Sequence, residues 1–430
     1  MEETKSQKIF EESYKYEPRF MSEHVPIVWD SAKGIEIFDV EGNRYIDFTS
    51  GILVANIGHS HSKYVRAIED QVSKLLTCYD FMNKWRVKLS KKLVELTPKN
   101  LDNVYLLTTG TEAVESALKL ARFYTQKSEV FSFHMSFHGR TIHTLSIGGK
   151  KSRKVGFGPF SSGVVHAPYA YCYRCPFGKM FPSCNFHCIK HLDYLFDTES
   201  SDDVSSLIIE PYQGAGGVIF PPDGYLKKIE EWCRRKNILM IVDEVQAGFG
   251  RTGKLFGFMH DKVEPDIICC GKGLTGGIPG SAVIFDSKLG RGIRRGGMSC
   301  TYAGNPLVGR AGLAVLEILE EENLIENSKR MGSYIIDDLK TFAEKLSYVG
   351  DIRGRGLVIG LEIVKDKKTK EPYPKRAKEI VRMCYKKGLL VLGPDGFFGN
   401  IVELAPPLII TKDKADEALN IIKEVMENLK

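Results

Sequence analysis

The sequence lacks long hydrophobic runs, internal repeats and low-complexity linkers. Its apolar stretches, such as 238–242, are far shorter than the roughly 20 residues that a membrane-spanning helix needs. Its first 20 residues are charged from the start and have no apolar block of the kind found in a secretory signal. We therefore expect a cytoplasmic protein without a membrane partner.

The charge has no strong regional bias. The net charge is +6 over 430 residues, and lysines are interspersed with glutamates along helix-like segments such as 323–346. Binding to nucleic acid would require a basic stripe, so we expect no nucleic-acid partner. The composition, with 43% hydrophobic and 27% charged residues, is that of a globular protein, and the length predicts two domains.

Two segments look like nucleotide-binding motifs but are incomplete. Residues 248–253 fit the pattern GxGxxG, yet residues 243–247 separate them from the preceding strand and no good helix follows. The run 238–244 resembles the strand that positions magnesium in ATPases, but the sequence has no GxxxxGK[ST] phosphate loop. We therefore reject both nucleotide-binding hypotheses and interpret 248–253 as a glycine-rich loop.

Short apolar runs alternate with helical patterns after residue 103. Periodicity predicts strands at 104–107, 207–209, 238–242 and 266–270, and a helix at 113–121. Such alternation is typical of an α/β fold, in which a largely parallel sheet is covered by helices on both faces.

The C-terminal third has a different pattern. Helices are predicted at 306–321 and 325–346, and short strands at 357–363 and 402–404. This order favours a second, smaller α+β domain. We predict a large domain at 61–310 and a small domain composed of 1–60 and 311–430.

Residues capable of chemistry follow the predicted strands, where parallel sheets bind ligands. They are Gly110 and Thr111, Glu210, Asp243 and Lys272. A lysine between two glycines at a strand end is accessible yet largely desolvated, which lowers the pKa of its amine and favours imine formation. An isolated Gly-Lys-Gly is more often a surface turn, but the neighbouring residues favour the functional interpretation.

Asp243 and the Gly110-Thr111 pair also have structural interpretations that compete with the functional ones. A buried carboxylate such as Asp243 needs a cation, which a pyridinium nitrogen or an ordinary ion pair would supply. Gly110 and Thr111 precede an alanine-rich helix, whose free backbone N–H groups suit a phosphate. Many helices begin with Gly-Thr, so this second signal is weak by itself.

Taken together, the motifs resemble those of class III aminotransferases of fold type I, the group of 4-aminobutyrate and ornithine aminotransferases. The matching segments are DFTSGI (47–52), NIGHSH (56–61), TGTEA (109–113), FHGRT (137–141), EPYQG (210–214), IVDEVQAG (241–248), GKGL (271–274) and TYAGNP (301–306). They occur in order along nearly the whole chain. One departure is Thr109, where the family usually has serine or asparagine.

The resemblance implies pyridoxal 5'-phosphate as cofactor and a transfer of an amino group from an amino acid, ω-amino or diamino compound to a 2-oxo acid. Lys272 would bind the cofactor covalently and move the Cα proton, and Asp243 would pair with the ring nitrogen. Gln246 would contact the ring hydroxyl, and Val245 and Phe137 would enclose the ring.

The phosphate would be held by Gly110 and Thr111 and, from the neighbouring subunit, by Thr301. This last role implies a homodimer with shared active sites. Whether dimers pair into larger oligomers is left open by the sequence.

The substrate pocket departs from the family pattern. In relatives of the 4-aminobutyrate type, the residue equivalent to Arg140 binds the distal carboxylate of the substrate beside the equivalent of Ile52, and this sequence has both. The C-terminal motif NIVELAPPL (400–408) has Glu403 where relatives have an arginine that binds the α-carboxylate and rests against the equivalent of Glu210. Glu210 and Glu403 would place two like charges near each other, so either one of them is protonated or a cation, such as a substrate amino group, lies between them. The alternative is that Glu403 points elsewhere and specificity depends on other residues.

Four cysteines are clustered at Cys172, Cys175, Cys184 and Cys188. The spacing allows a structural zinc or iron–sulfur site, reduced packing thiols, or disulfides in a hyperthermophile. The chemistry inferred above needs no metal, and we predict none in the active site.

Two alternative functions remain open. An amino-acid racemase or epimerase of the same family would return the proton to Cα. A zinc-stabilised binding protein on an inactive scaffold is disfavoured by the joint presence of Lys272, Asp243 and Thr301.

Overall fold

The computed structural model describes residues 4–21 and 25–429 and contains two seven-stranded sheets. Residues 1–3, 22–24 and 430, which the predicted small domain includes, lie outside this description. The strands are β1 (Trp29–Lys33), β2 (Glu36–Asp39), β3 (Arg44–Phe48), β4 (Asn103–Leu107), β5 (Glu129–Phe133), β6 (Val164–Ala167), β7 (Val204–Ile209), β8 (Leu239–Asp243), β9 (Ile267–Cys270), β10 (Ser281–Phe285), β11 (Val349–Arg355), β12 (Val358–Ile363), β13 (Leu389–Asp395) and β14 (Ile401–Leu404).

The first sheet has the order β4-β10-β9-β8-β7-β5-β6. The five strands from β9 to β6 are parallel, and β10 runs antiparallel to both of its neighbours. Strands β7, β8 and β9 are buried along their whole length, as expected for a sheet covered on both faces. The predicted largely parallel α/β sheet is therefore confirmed, with β10 as its antiparallel member.

The second sheet joins the two ends of the chain. Its order is β1-β2-β3-β13-β14-β12-β11, and β3 pairs with β13 in parallel, with Asp47 opposite Leu390. The remaining pairs are antiparallel. This pairing agrees with the expectation that N-terminal and C-terminal segments combine, while the domain boundaries stay a prediction.

The helices flank both sheets. They are α1 (Lys5–Tyr16), α2 (Ser50–Leu53), α3 (Ser62–Val72), α4 (Lys84–Glu95), α5 (Gly110–Thr125), α6 (Ile142–Ile147), α7 (His187–Glu199), α8 (Tyr225–Lys236), α9 (Pro306–Glu321), α10 (Leu324–Ala343), α11 (Pro374–Lys386) and α12 (Lys412–Glu427). In the part of the chain that the structure describes, none of them combines the length and the apolar character that crossing a membrane requires.

All three predicted helices are present, and their bounds differ by up to four residues: the helix predicted at 113–121 is α5 (Gly110–Thr125). α9 has the predicted bounds and begins with Pro306 after the capping residue Asn305. α10 ends at Ala343, three residues before the predicted end at 346. Leu346 is buried, and its N–H donates a hydrogen bond to the carbonyl of Ala343. Its apolar side chain therefore continues the hydrophobic pattern beyond the end of the helix.

Candidate active site

A cavity of about 510 Å³ lies at the carboxyl ends of β4, β7, β8 and β9. All but one of the predicted site residues line it: Ile52, Gly110, Thr111, Phe137, Arg140, Glu210, Asp243, Val245, Gln246, Lys272 and Glu403. The exception is Thr301, which is exposed and does not line the cavity of its own chain. The fold therefore brings together residues from seven segments that are far apart in the sequence.

Asp243 is the last residue of β8 and is held from two sides. Its Oδ2 lies 2.7 Å from Nδ1 of His138, and its Oδ1 accepts a hydrogen bond of 3.1 Å from the backbone N–H of Val245. Both Asp243 and His138 are buried. The sequence suggested no role for His138, although this residue lies inside the segment FHGRT (137–141).

Lys272 begins a tight turn after β9, with a left-handed φ of 43°. Its glycine neighbours leave no room for side chains: a Cβ at Gly273 would lie 2.4 Å from Nδ2 of Asn56, and one at Gly271 would lie 3.2 Å from Cγ1 of Val245. Burial lowers the pKa of the Lys272 amine, an effect that nearby carboxylates oppose. The turn therefore holds an amine in an environment that favours its uncharged, nucleophilic form.

The N-terminus of α5 forms one wall of the cavity. Thr109 caps the helix by accepting a hydrogen bond of 3.2 Å from the N–H of Glu112. A Cβ at Gly110 would lie 2.9 Å from Cγ1 of Val245, so only glycine allows this close approach. The hydroxyl of Thr111 accepts a hydrogen bond of 3.0 Å from the N–H of Arg140. A positive helix end with small residues at the cavity suits an anion.

Glu210 follows β7 and accepts hydrogen bonds from backbone N–H groups of Phe137 (3.0 Å) and Gly214 (3.2 Å). Burial raises the pKa of Glu210 to about 7, with a smaller contribution from Asp243. The Glu210 carboxyl therefore takes up a proton more readily than an exposed glutamate does.

Glu403 lies in β14 and is buried, and its Oε1 has no hydrogen-bond partner among the described residues. Burial raises the pKa of Glu403 to about 8, and Asp395 adds to this shift while Lys272 and Arg251 oppose it. The negative charge that helps to raise the pKa of Glu403 is therefore that of Asp395, whereas the sequence suggested that it would be that of Glu210. The two glutamates nevertheless line the same cavity.

The wall around Ile52 has a strained backbone. All four residues of α2 (Ser50–Leu53) have positive φ between 48° and 65°, so this turn is left-handed. Such a conformation costs an L-residue about 1–2 kcal/mol. The buried guanidinium of Arg251 supports the turn by donating to Oγ of Ser50 (3.2 Å) and Oδ1 of Asn56 (2.6 Å). The rejected dinucleotide motif therefore contains a residue that supports the cavity wall.

The clustered cysteines all have free thiols, and they line a separate cavity of about 20 Å³. Among residues 4–21 and 25–429, no group of three or more His, Cys, Asp or Glu side chains is arranged to hold a metal ion. The structure therefore lends no support to a zinc or iron–sulfur site or to disulfides in this cluster.

Comparison with known proteins identifies the family. The model of the class III aminotransferases matches residues 20–426. The chain belongs to this family.

Two relatives and one solved structure illustrate the similarity. The chain is 37% identical over 410 residues to the leucine/methionine racemase of Thermococcus litoralis, covering 94% of this chain and 92% of the relative. It is 37% identical over 396 residues to a probable 4-aminobutyrate aminotransferase of Bacillus subtilis, covering 91% of each. An amine transaminase from an uncultivated Pseudomonas species, solved in its PLP-bound form, superimposes with a TM-score of 0.90 at 30% identity, covering 97% and 99% of the two chains.

This class III aminotransferase uses pyridoxal phosphate, and its cavity fits that cofactor. The buried Oε1 of Gln246 has no partner among the described residues and is available to a ring substituent. Gly110 and Gly271 have no Cβ atom that would crowd Val245, which lines the cavity. An acid at one end of the cavity and a helix N-terminus at another match the pyridinium nitrogen and the phosphate.

Proposed function

We propose that the aminotransferase reaction takes place in the cavity at the carboxyl ends of β4, β7, β8 and β9, with Lys272 as the reactive amine. The observation that carries this proposal is that Lys272 and Asp243, from adjacent strands, line one cavity together with the N-terminus of α5. An amine whose pKa is lowered by burial is uncharged more often at neutral pH than an exposed lysine is, so it is available as a base and as a nucleophile.

The remaining residues bind and orient the cofactor in this proposal. Bound pyridoxal phosphate supplies an aldehyde that condenses with amines and a pyridinium ring that withdraws electrons from the bond to be broken. Asp243 holds the ring nitrogen, Val245 and Phe137 cover the two faces of the ring, and Gln246 contacts its hydroxyl.

At the other end of the cavity, Gly110 and Thr111 hold the phosphate through the N-terminus of α5. Lys272 then moves the proton of the substrate Cα, and Glu210 orients the loop after Phe137 through its hydrogen bond to that residue's N–H.

We further propose a homodimer with shared active sites, in which Thr301 of each chain reaches the phosphate in the partner's cavity. Thr301 is exposed and does not line the cavity of its own chain, which fits a role in a neighbouring subunit. We also propose a cytoplasmic location, because all ten cysteines are free thiols, the state that a reducing compartment preserves.

For the amino donor we propose a compound with a second, cationic amino group, such as a diamino acid or a diamine. The buried Oε1 of Glu403 has no hydrogen-bond partner among the described residues, and a substrate ammonium would satisfy it, whereas the neighbouring Asp395 is already paired with Lys150. A carboxylate in place of the family's arginine repels the α-carboxylate that relatives bind at this position. Lys272 and Arg251 reduce the negative charge here, but neither hydrogen-bonds to Glu403.

The function is tested by incubating the holoenzyme with diamino and monoamino donors and with pyruvate or 2-oxoglutarate, and by measuring the amino acid formed from the acceptor. Borohydride treatment followed by peptide mass analysis should locate the reduced cofactor on Lys272. Lys272→Ala is the matched inactive variant. Cofactor fixed at another lysine, or full activity in Lys272→Ala, would overturn the assignment of this residue.

A racemase is the second candidate, because the Thermococcus litoralis relative is a leucine/methionine racemase. Both reactions begin with removal of the Cα proton by Lys272, and they differ in the atom to which the proton returns. Incubating one enantiomer of an amino acid without a 2-oxo acid separates them, since racemisation needs no acceptor. Formation of the other enantiomer under these conditions would favour the racemase.

A further inference from the structure

Two arginines at the cavity have no ionic partner in the described part of the chain. Arg140 and Arg153 both line it, and their Cζ atoms lie 5.8 Å and 5.3 Å from the ring centroid of Phe137. Among residues 4–21 and 25–429, both guanidinium groups contact the ring of Phe137, and neither takes part in an ion pair or a hydrogen bond. Lys150, close by in sequence, is different because its amine binds Oδ1 of Asp395 at 2.5 Å.

The backbone brings the two arginines together over one aromatic ring. Arg140 lies three residues after Phe137 in the FHGRT segment, and Arg153 ends a short 3₁₀ turn (Lys151–Arg153) after α6. The charge of Arg153 and the burial of Arg140 both lower the pKa of Arg140. Two neighbouring cations that repel each other without a counter-ion form a site at which an anion relieves the repulsion.

We propose that Arg153 is a second specificity-determining residue, which together with Arg140 binds a carboxylate of the 2-oxo acid. This inference rests on the proposed function, because it assumes that a 2-oxo acid is the acceptor. The planar guanidinium groups present paired N–H donors that match the two oxygens of a carboxylate. The pair also supplies an alternative anchor for a carboxylate in a chain that has Glu403 in place of an arginine.

Glu403 and the arginine pair carry opposite charges, so a substrate ammonium and a substrate carboxylate should bind at different places in the cavity. Ionised Glu403 would repel a carboxylate, and Asp395 is already paired with Lys150, whereas Arg140 and Arg153 attract a carboxylate. A 2-oxo acid therefore binds with its carboxylate at the arginine pair. An acceptor without a carboxylate gains nothing from Arg153.

The test compares acceptors in the holoenzyme variants Arg153→Gln and Arg153→Lys. We expect Arg153→Gln to lower kcat/KM about 10- to 100-fold for 2-oxoglutarate, pyruvate or both, with no change for an uncharged aldehyde, because a hydrogen bond to a charged group is lost. The lysine variant should recover part of the loss, since it keeps the charge but not the paired donors. Arg382→Gln is the matched control, because Arg382 is an exposed arginine of α11 that does not line the cavity.

A uniform loss for all three acceptors would overturn the proposal, since it would mean that Arg153 only packs on Phe137. Unchanged kcat/KM for both 2-oxo acids would overturn it as well. Calorimetric titration with glutarate provides an independent measurement, in which Arg153→Gln should weaken binding by a similar factor. If the wild-type holoenzyme transferred no amino group to any acceptor, the proposed function would fail, and the glutarate titration would still test the arginine pair.

Discussion

The Nδ1 atom of His138 lies 2.7 Å from Oδ2 of Asp243, and both side chains are buried beneath the cavity. The second oxygen of Asp243 is already bound to the N–H of Val245. The carboxylate is therefore fixed in orientation by one ring and one backbone group. In our proposal this carboxylate binds the cofactor nitrogen, so His138 is a positioning residue.

His138→Ala should weaken the binding of pyridoxal phosphate because Asp243 loses the partner that orients it. A hydrogen bond to a charged group contributes about 1.5–3 kcal/mol, which corresponds to a roughly 10- to 100-fold higher dissociation constant. Absorbance titration with the cofactor measures this constant. His138→Asn keeps a donor and should restore part of the affinity, and an unchanged dissociation constant in a folded alanine variant would contradict the positioning role.

The catalytic side of the site was predictable because it depends on local sequence. Strands β8 and β9 are buried apolar runs that end at turns, so Asp243 and the glycine-flanked Lys272 could be placed at strand ends from the sequence. Their meeting at one cavity then follows from the rule that parallel strands present their carboxyl ends on the same edge.

Other elements depend on contacts between distant segments and carry little local signal. β1 (Trp29–Lys33) is mostly exposed and contains charged residues, so its pattern does not distinguish it from a loop. β10 is short and apolar, and sequence alone does not give its antiparallel direction. The left-handed turn of α2 depends on Arg251, about 200 residues away in the chain. Arg153 is separated from Phe137 by α6, so the contact between the two side chains is not apparent from local sequence.

The gain in stability of the cofactor-free protein from Glu403→Gln should increase as the pH rises. The folded pKa of Glu403, about 8, lies above the value of about 4.3 in an unfolded chain, so the unfolded state releases this proton first. Stability therefore falls as the pH rises from about 4.5 to about 8, by up to a few kcal/mol. Glutamine cannot ionise and removes this loss, which denaturant unfolding at pH 5 and pH 8 would measure.

Glu244 provides the matched control for that experiment. Burial also raises its pKa to about 8, but its two oxygens accept hydrogen bonds of 2.8 Å from the N–H groups of Gly257 and Phe258. In Glu244→Gln the side-chain NH₂ group would face one of these backbone N–H groups, and two donors cannot form a hydrogen bond. This variant should therefore be destabilised at both pH values. If the stability difference between Glu403→Gln and wild type did not change with pH, ionisation of Glu403 would not be its cause.

Glu403→Ala should reduce the use of diamino donors relative to monoamino donors. The proposed contact between Glu403 and a substrate ammonium is charge-assisted, so its loss should lower the ratio of kcat/KM values about tenfold or more. Steady-state kinetics with a diamino acid and a monoamino acid of similar length measure the ratio. Glu403→Gln keeps the volume and removes the charge, so it should show most of the same change. An unaltered ratio in both variants would remove Glu403 from substrate recognition.

Mixing two inactive variants tests whether Thr301 acts across a dimer. Lys272→Ala removes the reactive amine, and Thr301→Glu places a carboxylate where the proposal has a phosphate ligand, so each homodimer should be inactive or nearly so. A hybrid dimer would combine both defects in one site and leave the other site with an intact Lys272 and the partner's intact Thr301. Random exchange of subunits makes about half of the dimers hybrid, so activity should recover to about a quarter of the wild-type value. If Thr301 acted within its own chain, every site in the mixture would carry one defect, and no activity would return after subunit exchange.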